Sequence, residues 1–262
     1  MIILMFILGT AMGSFAYVLA LRSYDGRDWV NGHSECEHCH ELLKWYDLVP
    51  VASWLSTLGK CRYCKKSIGA TYITVELATG ALFLLSYRYW PYGFEHLGVS
   101  AFVLWLISLT VLISLVIIDL KWFLLPDGLV FSLIGIAGAF QLYVVAYTQD
   151  FSRLPGILGG IAVGFGIFYL LYMVSSGRYI GGGDVKYGLY IGLLTGSALK
   201  SLLVISVASL LGTLAVLPLL ITKKTKLTSK IPFGPFLILA TIIVFIFGQK
   251  ILDWYTGFYL FP

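Results

Sequence analysis

Asp119 and Asp184 are carboxylates set against apolar sequence. Asp119 closes the run LWLISLTVLISLVIID and is followed by LKWFLLPD, and Asp184 follows Gly181, Gly182 and Gly183. A charged side chain costs about 2.5–3.5 kcal/mol at the centre of a membrane helix, so such residues are rare there. Two of them side by side make an acid/base dyad. Like charges a few ångströms apart cannot both ionise, so one proton is shared. One carboxylate then activates water while the other protonates or hydrogen-bonds a scissile carbonyl. The plainer alternative, in which each aspartate only caps a helix at the interface, stays open on spacing alone. Three glycines ahead of Asp184 give a backbone without side-chain bulk, able to take unusual dihedrals and to admit an extended peptide beside the carboxylate.

The four cysteines form a second constellation: Cys36-x-x-Cys39, then Cys61-x-x-Cys64, with 21 residues between the pairs. This comes close to the usual four-cysteine zinc spacing, in which thiolates from two tight turns converge tetrahedrally on one ion. Gly59 and Lys60 precede the second pair, and Arg62, Lys65 and Lys66 offset thiolate charge. Two disulfides, or four unrelated thiols, are the alternative, and a reducing cytoplasmic location disfavours disulfides. Four thiolates leave no open coordination position, so the zinc is read as structural. His33, His38 and His40 lie near enough in sequence to substitute as ligands. A loop of this size buries too little apolar surface to fold unaided, and the metal would act as its staple.

Apolar elements must hold these groups. Hydrophobic residues make up 59% of the 262 and charged residues only 12%, whereas a soluble domain carries about a quarter charged. The bilayer is the natural solvent for such a chain. Candidate spans cover roughly 2–21, 72–90, 98–118, 128–147, 155–174, 201–221 and 233–248, with a shorter apolar piece at 185–195 that needs shielding by other helices to cross. The expected fold is therefore an all-α polytopic membrane protein of about eight transmembrane helices with a small zinc-binding cytoplasmic insert. Its expected divisions are a first helix at 1–21, the insert at 22–71 and a membrane region at 72–262. The first span lacks the basic start of a signal peptide and is long enough to span, so it reads as a retained helix. Gly188, Gly192 and Gly196 form one small-residue ridge and Gly160 and Gly164 another, the pattern of close helix packing in lipid.

The net charge of +5 does not indicate nucleic acid, because the basic residues sit between apolar spans. Fourteen of the eighteen Lys and Arg fall on one side if the 22–71 loop is cytoplasmic. Seven lie in that loop, followed by Lys121, by Arg178 and Lys186, and by Lys223, Lys224, Lys226 and Lys230. Arg88, Arg153, Lys200 and Lys250 remain for the other side. Excess Lys and Arg marks the cytoplasmic face. Asp119 and Asp184 then both lie at the cytoplasmic boundary. Glu76, a few residues into the second span, is read as an interfacial charge paired with a basic loop residue, with contact to the insert as the functional alternative.

Motif order adds a resemblance to these readings. GSFAYVLALR (13–22), the two CxxC pairs, DLVPVASWL (47–55), GKCRYC (59–64), YITVEL (72–77), DLKWFLLPD (119–127), GGGDVK (181–186) and IPFGPFL (231–237) occur in the order seen in type IV prepilin peptidases. The chain resembles that family of GxGD aspartyl proteases nearly end to end. The resemblance implies that Asp119 and Asp184 are the catalytic pair, with Gly181, Gly183, Asp127 and Lys186 as substrate-binding or supporting residues. It implies cleavage of a basic leader from prepilin or pseudopilin precursors, at a glycine just cytoplasmic of their hydrophobic helix. It further implies N-methylation of the new terminus from S-adenosylmethionine, in the bacterial inner membrane. The family's usual asparagine is Tyr17 here, its usual proline after the first cysteine is Glu37, and no proline follows Arg22. These departures fall in or beside the insert associated with methylation. A proton- or cation-coupled transporter is the alternative from another class, and it predicts broken helices near the bilayer midplane.

Overall fold

Helices form wherever the chain carries a long apolar run. The computed structural model describes residues 1–29, 31–222 and 231–260, with side chains through 257. Its helices are α1 (Ile2–Asp25), α2 (Ala52–Ser56), α3 (Ala70–Arg88), α4 (His96–Trp122), α5 (Asp127–Thr148), α6 (Leu154–Ser175), α7 (Gly182–Thr195), α8 (Ala198–Ile221) and α9 (Gly234–Leu260). Among the described residues β-pairing is limited to two isolated antiparallel bridges. Among the described residues, seven helices are long and apolar enough to cross a membrane: α1, α3, α4, α5, α6 with the turn before it, α8 and α9. Together with the short α7 they match the expected seven full spans and one short one.

Several helix ends run past the expected bounds, two of them most informatively. α4 continues past 118, so Asp119 lies within its last turn rather than after it. The helix stops at Phe123, which adopts a left-handed conformation and donates its N–H to the Asp119 carbonyl at 2.9 Å. α9 continues past 248, where the Gln249 amide donates to Asp253 at 2.8 Å one turn on. An apolar run measures the hydrocarbon layer, and helical hydrogen bonding extends beyond it. Lys223, Lys224, Lys226 and Lys230, which enter the charge count, lie outside the described residues.

The chain divides into two units. The first comprises Met1–Trp90 with Leu109–Ile117. In it α1 and α3 touch backbone to backbone: a Cβ on Gly9 would stand 2.8 Å from Gly80 Cα, and one on Gly13 would stand 2.9 Å from Glu76 Cα. Ser114 of α4 donates to the Ala16 carbonyl at 2.9 Å, and Leu109, Leu112 and Leu115 are fully buried.

The second unit comprises Pro91–Ser108 and Ile118–Pro262. Here the two glycine ridges meet each other. A Cβ on Gly160 would stand 2.6 Å from the Gly192 carbonyl oxygen, and one on Gly164 would stand 2.5 Å from that of Gly188. Any larger side chain would push α6 and α7 apart. α7 is about 21 Å long at 1.5 Å per residue, short of a hydrocarbon layer of about 30 Å. It packs against α5, α6 and α8, buries Tyr187, Tyr190 and Ile191, and receives the Gln141 amide on its Leu193 carbonyl at 2.7 Å. Neighbouring helices therefore supply the shielding that its length requires.

Candidate active sites: two carboxylates and four thiols

Asp119 is 6% exposed and sits in the C-terminal turn of α4. A carboxylate is disfavoured there, because the free carbonyls give that end partial negative charge. Capping cannot explain it. The first residue of α9, Gly234, lies directly against the carboxyl: a Cβ added to Gly234 would collide with Asp119 Oδ2 and stand 3.5 Å from Leu125. Glycine at 234 is what allows the start of α9 to approach the acid.

Asp184 occupies the third position of α7, and its Oδ2 accepts the Gly181 N–H at 3.3 Å. That bond is a helix cap in the ordinary sense. It uses one carboxylate oxygen only. The other, Oδ1, is buried and has no hydrogen-bond partner among the described residues. The Asp184 carboxyl also lies within Coulombic range of Asp119. Two acids far apart in sequence thus face one small region of the second unit.

The three glycines before Asp184 do not act through unusual dihedrals. Gly181 is extended, at φ −74° and ψ 152°, and none of the three has positive φ. Their smallness is what counts. A Cβ on Gly183 would stand 2.9 Å from Leu125 Cβ, and the space beside Gly182 is open. Asp127 begins α5 after Pro126, and both of its oxygens accept from Lys186 Nζ at 2.7 Å. That pair ties the start of α5 to the first turn of α7. It leaves Asp127 engaged with a cation rather than with the other two acids.

The four cysteine Sγ atoms all lie within 4.8 Å of one another. Cys36 and Cys64 sulfurs are 3.9 Å apart, close to the ~3.8 Å expected for tetrahedral bonds of 2.3 Å to zinc. The two CxxC turns repeat one design. Cys36 N–H bonds the Glu41 carbonyl at 3.0 Å, and Cys61 N–H bonds that of Lys66 at 2.8 Å. His40 and Lys65, each just after a second cysteine, take φ 55° and 61°. Leu43 N–H closes onto Ser34 O, and Ile68 N–H onto Gly59 O. Among the described residues the cluster contains no histidine. At Cys36 burial opposes ionisation, but the Cys39 and His38 N–H groups and nearby thiols outweigh it and bring the thiol down to about 7. At Cys39 the Glu41 N–H favours the thiolate, yet burial and the Cys36 and Cys64 sulfurs push it up to about 11. Thiols this close cannot all ionise unless a cation sits among them. The geometry and the sulfur donor set fit one tetrahedral divalent ion.

Three residues have partners here that sequence did not name. Gly234 stands in the IPFGPFL motif, and its contact with Asp119 needs the fold to appear. Glu76, 8% exposed, pairs with no basic side chain among the described residues; it accepts the Val51 backbone N–H at 2.7 Å. The expected interfacial ion pair gives way to the alternative reading, contact with the insert. Asp47 accepts from Arg62 Nε at 2.8 Å and from the Tyr63 hydroxyl at 3.0 Å, joining the middle of the insert to the second CxxC turn. Long-range pairs of this kind leave no periodic trace in sequence.

Continuous membrane helices, a buried and a half-buried acid at two helix ends and a four-thiol loop define a multipass membrane protein equipped for aspartyl chemistry. Residues 7–90 match the model of the bacterial peptidase A24 N-terminal domain, and residues 106–217 match that of the type IV leader peptidase family. A prepilin leader peptidase/N-methyltransferase of Stutzerimonas stutzeri is 30% identical over 86% of this chain and 75% of its own length. One from Xanthomonas campestris is 34% identical over 83% and 73%, and one from Pseudomonas aeruginosa 32% over 86% and 75%. No solved structure gives a significant match. The chain belongs to the type IV prepilin leader peptidase family, the A24 aspartic peptidases of bacterial inner membranes. Membership displaces the coupled-transporter alternative.

Proposed function

We propose that this protein removes the leader from prepilin or pseudopilin precursors with Asp119 and Asp184 as its catalytic pair, and then N-methylates the new terminus. The reading is supported by two acids from α4 and α7 that lie within Coulombic range of each other, one of them with a buried oxygen left over after its helix cap. In hydrolysis the ionised carboxylate takes a proton from water, whose oxygen bonds to the scissile carbonyl carbon. The protonated partner hydrogen-bonds the carbonyl oxygen as charge develops there. The C–N bond then breaks and the leaving amine takes a proton. Gly181 holds Asp184 in place, Gly183 leaves room for Leu125 and Gly234 for the Asp119 carboxyl, and the Asp127–Lys186 pair fixes the α5 and α7 starts. Residues 72–262 carry this activity.

The released amine is what a methyltransferase needs, so cleavage comes first. S-adenosylmethionine supplies a methyl group on a cationic sulfur. When bound, it would give that methyl to the amine lone pair, keeping the S–CH3 electrons on sulfur, while the amine gives up one proton. Residues 22–71 form the region assigned to this step, stapled by zinc on Cys36, Cys39, Cys61 and Cys64. Four thiolates close the ion's coordination sphere, so its role is structural. The Lys and Arg distribution supports placing the insert and both aspartates on the cytoplasmic side of the inner membrane, with lipid around the spans.

Purified protein incubated with a prepilin-like peptide, with and without S-adenosylmethionine, tests the reading by mass spectrometry. The expected products are a peptide shortened at the leader junction and, with donor, the same peptide heavier by one methyl group. An uncut peptide would refute the peptidase. A cut peptide that stays unmethylated, together with no transfer to a synthetic mature terminus, would leave a peptidase alone.

A further inference from the structure

Part of the cysteine-bearing insert lies beside the interior of α1 and α3, all within the first unit. Val51 N–H bonds Glu76 Oε2 at 2.7 Å. Glu76 stands about 9 Å along α3 from Ala70, at 1.5 Å per residue. Its Cα faces Gly13 of α1, where an added Cβ would stand 2.9 Å away. Gly13 in turn lies about 13 Å before Arg22, the first charged side chain of α1. α3 is only about 28 Å long, so nearly all of it is needed to cross a hydrocarbon layer of about 30 Å. Measured on either helix, Val51 sits below the level at which the spans leave the apolar layer.

The chain around Val51 is suited to that depth. From 48 to 59 it reads LVPVASWLSTLG, without a charge. Ser53, Trp54 and Thr57 turn inward and line a cavity with Ser14 and Val18 of α1. The opposite face of α2, at Ala52, Leu55 and Ser56, is exposed, as are Leu48, Val49 and Leu58, the last at 83%. The segment closes its own backbone: Ser53 N–H bonds Val49 O at 3.0 Å, and Leu55 and Gly59 N–H bond Val51 O and Trp54 O, each at 2.9 Å. Val51 precedes the first turn of α2, and Glu76 supplies its acceptor. Irregular backbone survives at membrane depth only when its polar groups are met in this way. The same bond gives a carboxyl inside a span a reason to be there. Exposed Trp45 and Lys44 stand before the segment, and exposed Lys60, Lys65 and Lys66 follow it. Trp and Lys gather at the membrane interface, where Lys meets anionic headgroups.

We infer that residues 48–58 form a re-entrant interfacial segment, with Leu48, Val49, Leu55 and Leu58 among lipid acyl chains and the flanking lysines on anionic headgroups. The insert is then fastened to the bilayer at its middle as well as tethered at its two ends. A protein partner fits this face less well, because a surface at the depth of Glu76 is not reached from water. Lipid is already present at that level around α1 and α3, and it matches both the apolar face and the basic flanks.

Carbene labelling of the full-length protein in vesicles of phosphatidylethanolamine and phosphatidylglycerol tests this. One sample carries a lipid with a diazirine in its acyl chain, and the other a water-soluble diazirine amino acid. Trypsin cuts after Lys44 and Lys60, so the segment is read as a single peptide, 45–60. Its ratio of lipid label to aqueous label should exceed that of peptide 28–44 severalfold, with the lipid label on Leu48, Val49, Leu55 or Leu58. In the double variant Leu55→Glu, Leu58→Glu, shown by circular dichroism to be folded, that ratio should fall severalfold while the ratio of α1 peptides stays unchanged. Equal ratios for 45–60 and 28–44 in wild type would place the face in water and overturn the inference. Labelling by neither probe would show it covered by protein, such as a second copy of the chain, and would overturn it as well. A folded double variant that keeps the wild-type ratio would show that these leucines do not enter the lipid.

Discussion

The α6–α7 contact and the cysteine-bearing insert hold chemical groups in place by opposite means. α6 and α7 meet through Gly160, Gly164, Gly188 and Gly192, with backbone against backbone and no room for a methyl group. That packing sets the position of α7, and Asp184 rides on its first turn. The insert has almost no core of its own: Trp45, Leu55 and Leu58 are exposed. It relies on thiols converging from two turns, on Glu76 holding Val51, and on Asp47 holding Arg62 and Tyr63. Dispersion and lipid exclusion maintain the first arrangement, whereas the second rests on polar contacts and on four converging thiols suited to a metal ion. Perturbations of one should therefore leave the other intact.

The largest effect is expected at the acids themselves. Asp119→Asn or Asp184→Asn should lower leader cleavage by about 10³-fold or more, since an amide can neither take the water proton nor share one. Zinc content should stay at one per chain, and Asp184→Asn should still methylate a pre-cleaved peptide. Near-wild-type cleavage by either variant would refute the pair. Asp127→Asn is the contrast: its exposed bond to Lys186 is worth about 0–1 kcal/mol, and cleavage should fall no more than severalfold.

Gly234→Ala tests whether close packing positions Asp119. The added methyl would strike Oδ2, and a displacement near 1 Å can cost about 10²-fold in rate. Cleavage should drop by roughly that factor while metal content is unchanged. Full activity in Gly234→Ala would show that Asp119 tolerates the shift.

Cys61→Ser acts on the other region. Zinc should be lost, the 22–71 segment should become sensitive to protease, and methyl transfer should fall further than cleavage. Elemental analysis and limited proteolysis read this directly. Zinc retained at one per chain in the variant would exclude the four-thiolate site.

Asp47 gives the smallest effect and a pH signature. Burial alone would raise its carboxyl, but Arg62, Tyr63 and the Lys44 N–H hold it below the ordinary carboxylate range. A lowered value means that its stabilising contribution is complete above about pH 4 and is lost as pH falls through the lowered value. Asp47→Asn should melt at a lower temperature than wild type at neutral pH, and the gap should close in acid. A gap that persists unchanged at low pH would assign the effect to packing.

The number of spans, the short seventh helix and the four-cysteine loop were legible in sequence because each rests on local composition or spacing. Hydrophobic run length measures a bilayer, and CxxC turns are local structures. The candidate acids were legible for a related reason, since a carboxylate beside an apolar run is conspicuous by its cost. Their partners were not. That Asp119 lies inside a helix end, against Gly234, depends on where α4 stops and α9 starts, and hydropathy does not report helix termini. The role of the glycines before Asp184 also changed, from dihedral freedom to close approach at Gly183, because only a neighbour such as Leu125 can say which glycine lacks room. Glu76 carried two readings in sequence, an interfacial ion pair or contact with the insert, and only Val51 beside it decides between them. Sequence carries the preferences of each segment for water, lipid or metal. Which side chains meet across 50 or 100 residues is settled by packing in three dimensions, where a single methyl group decides whether two backbones can touch.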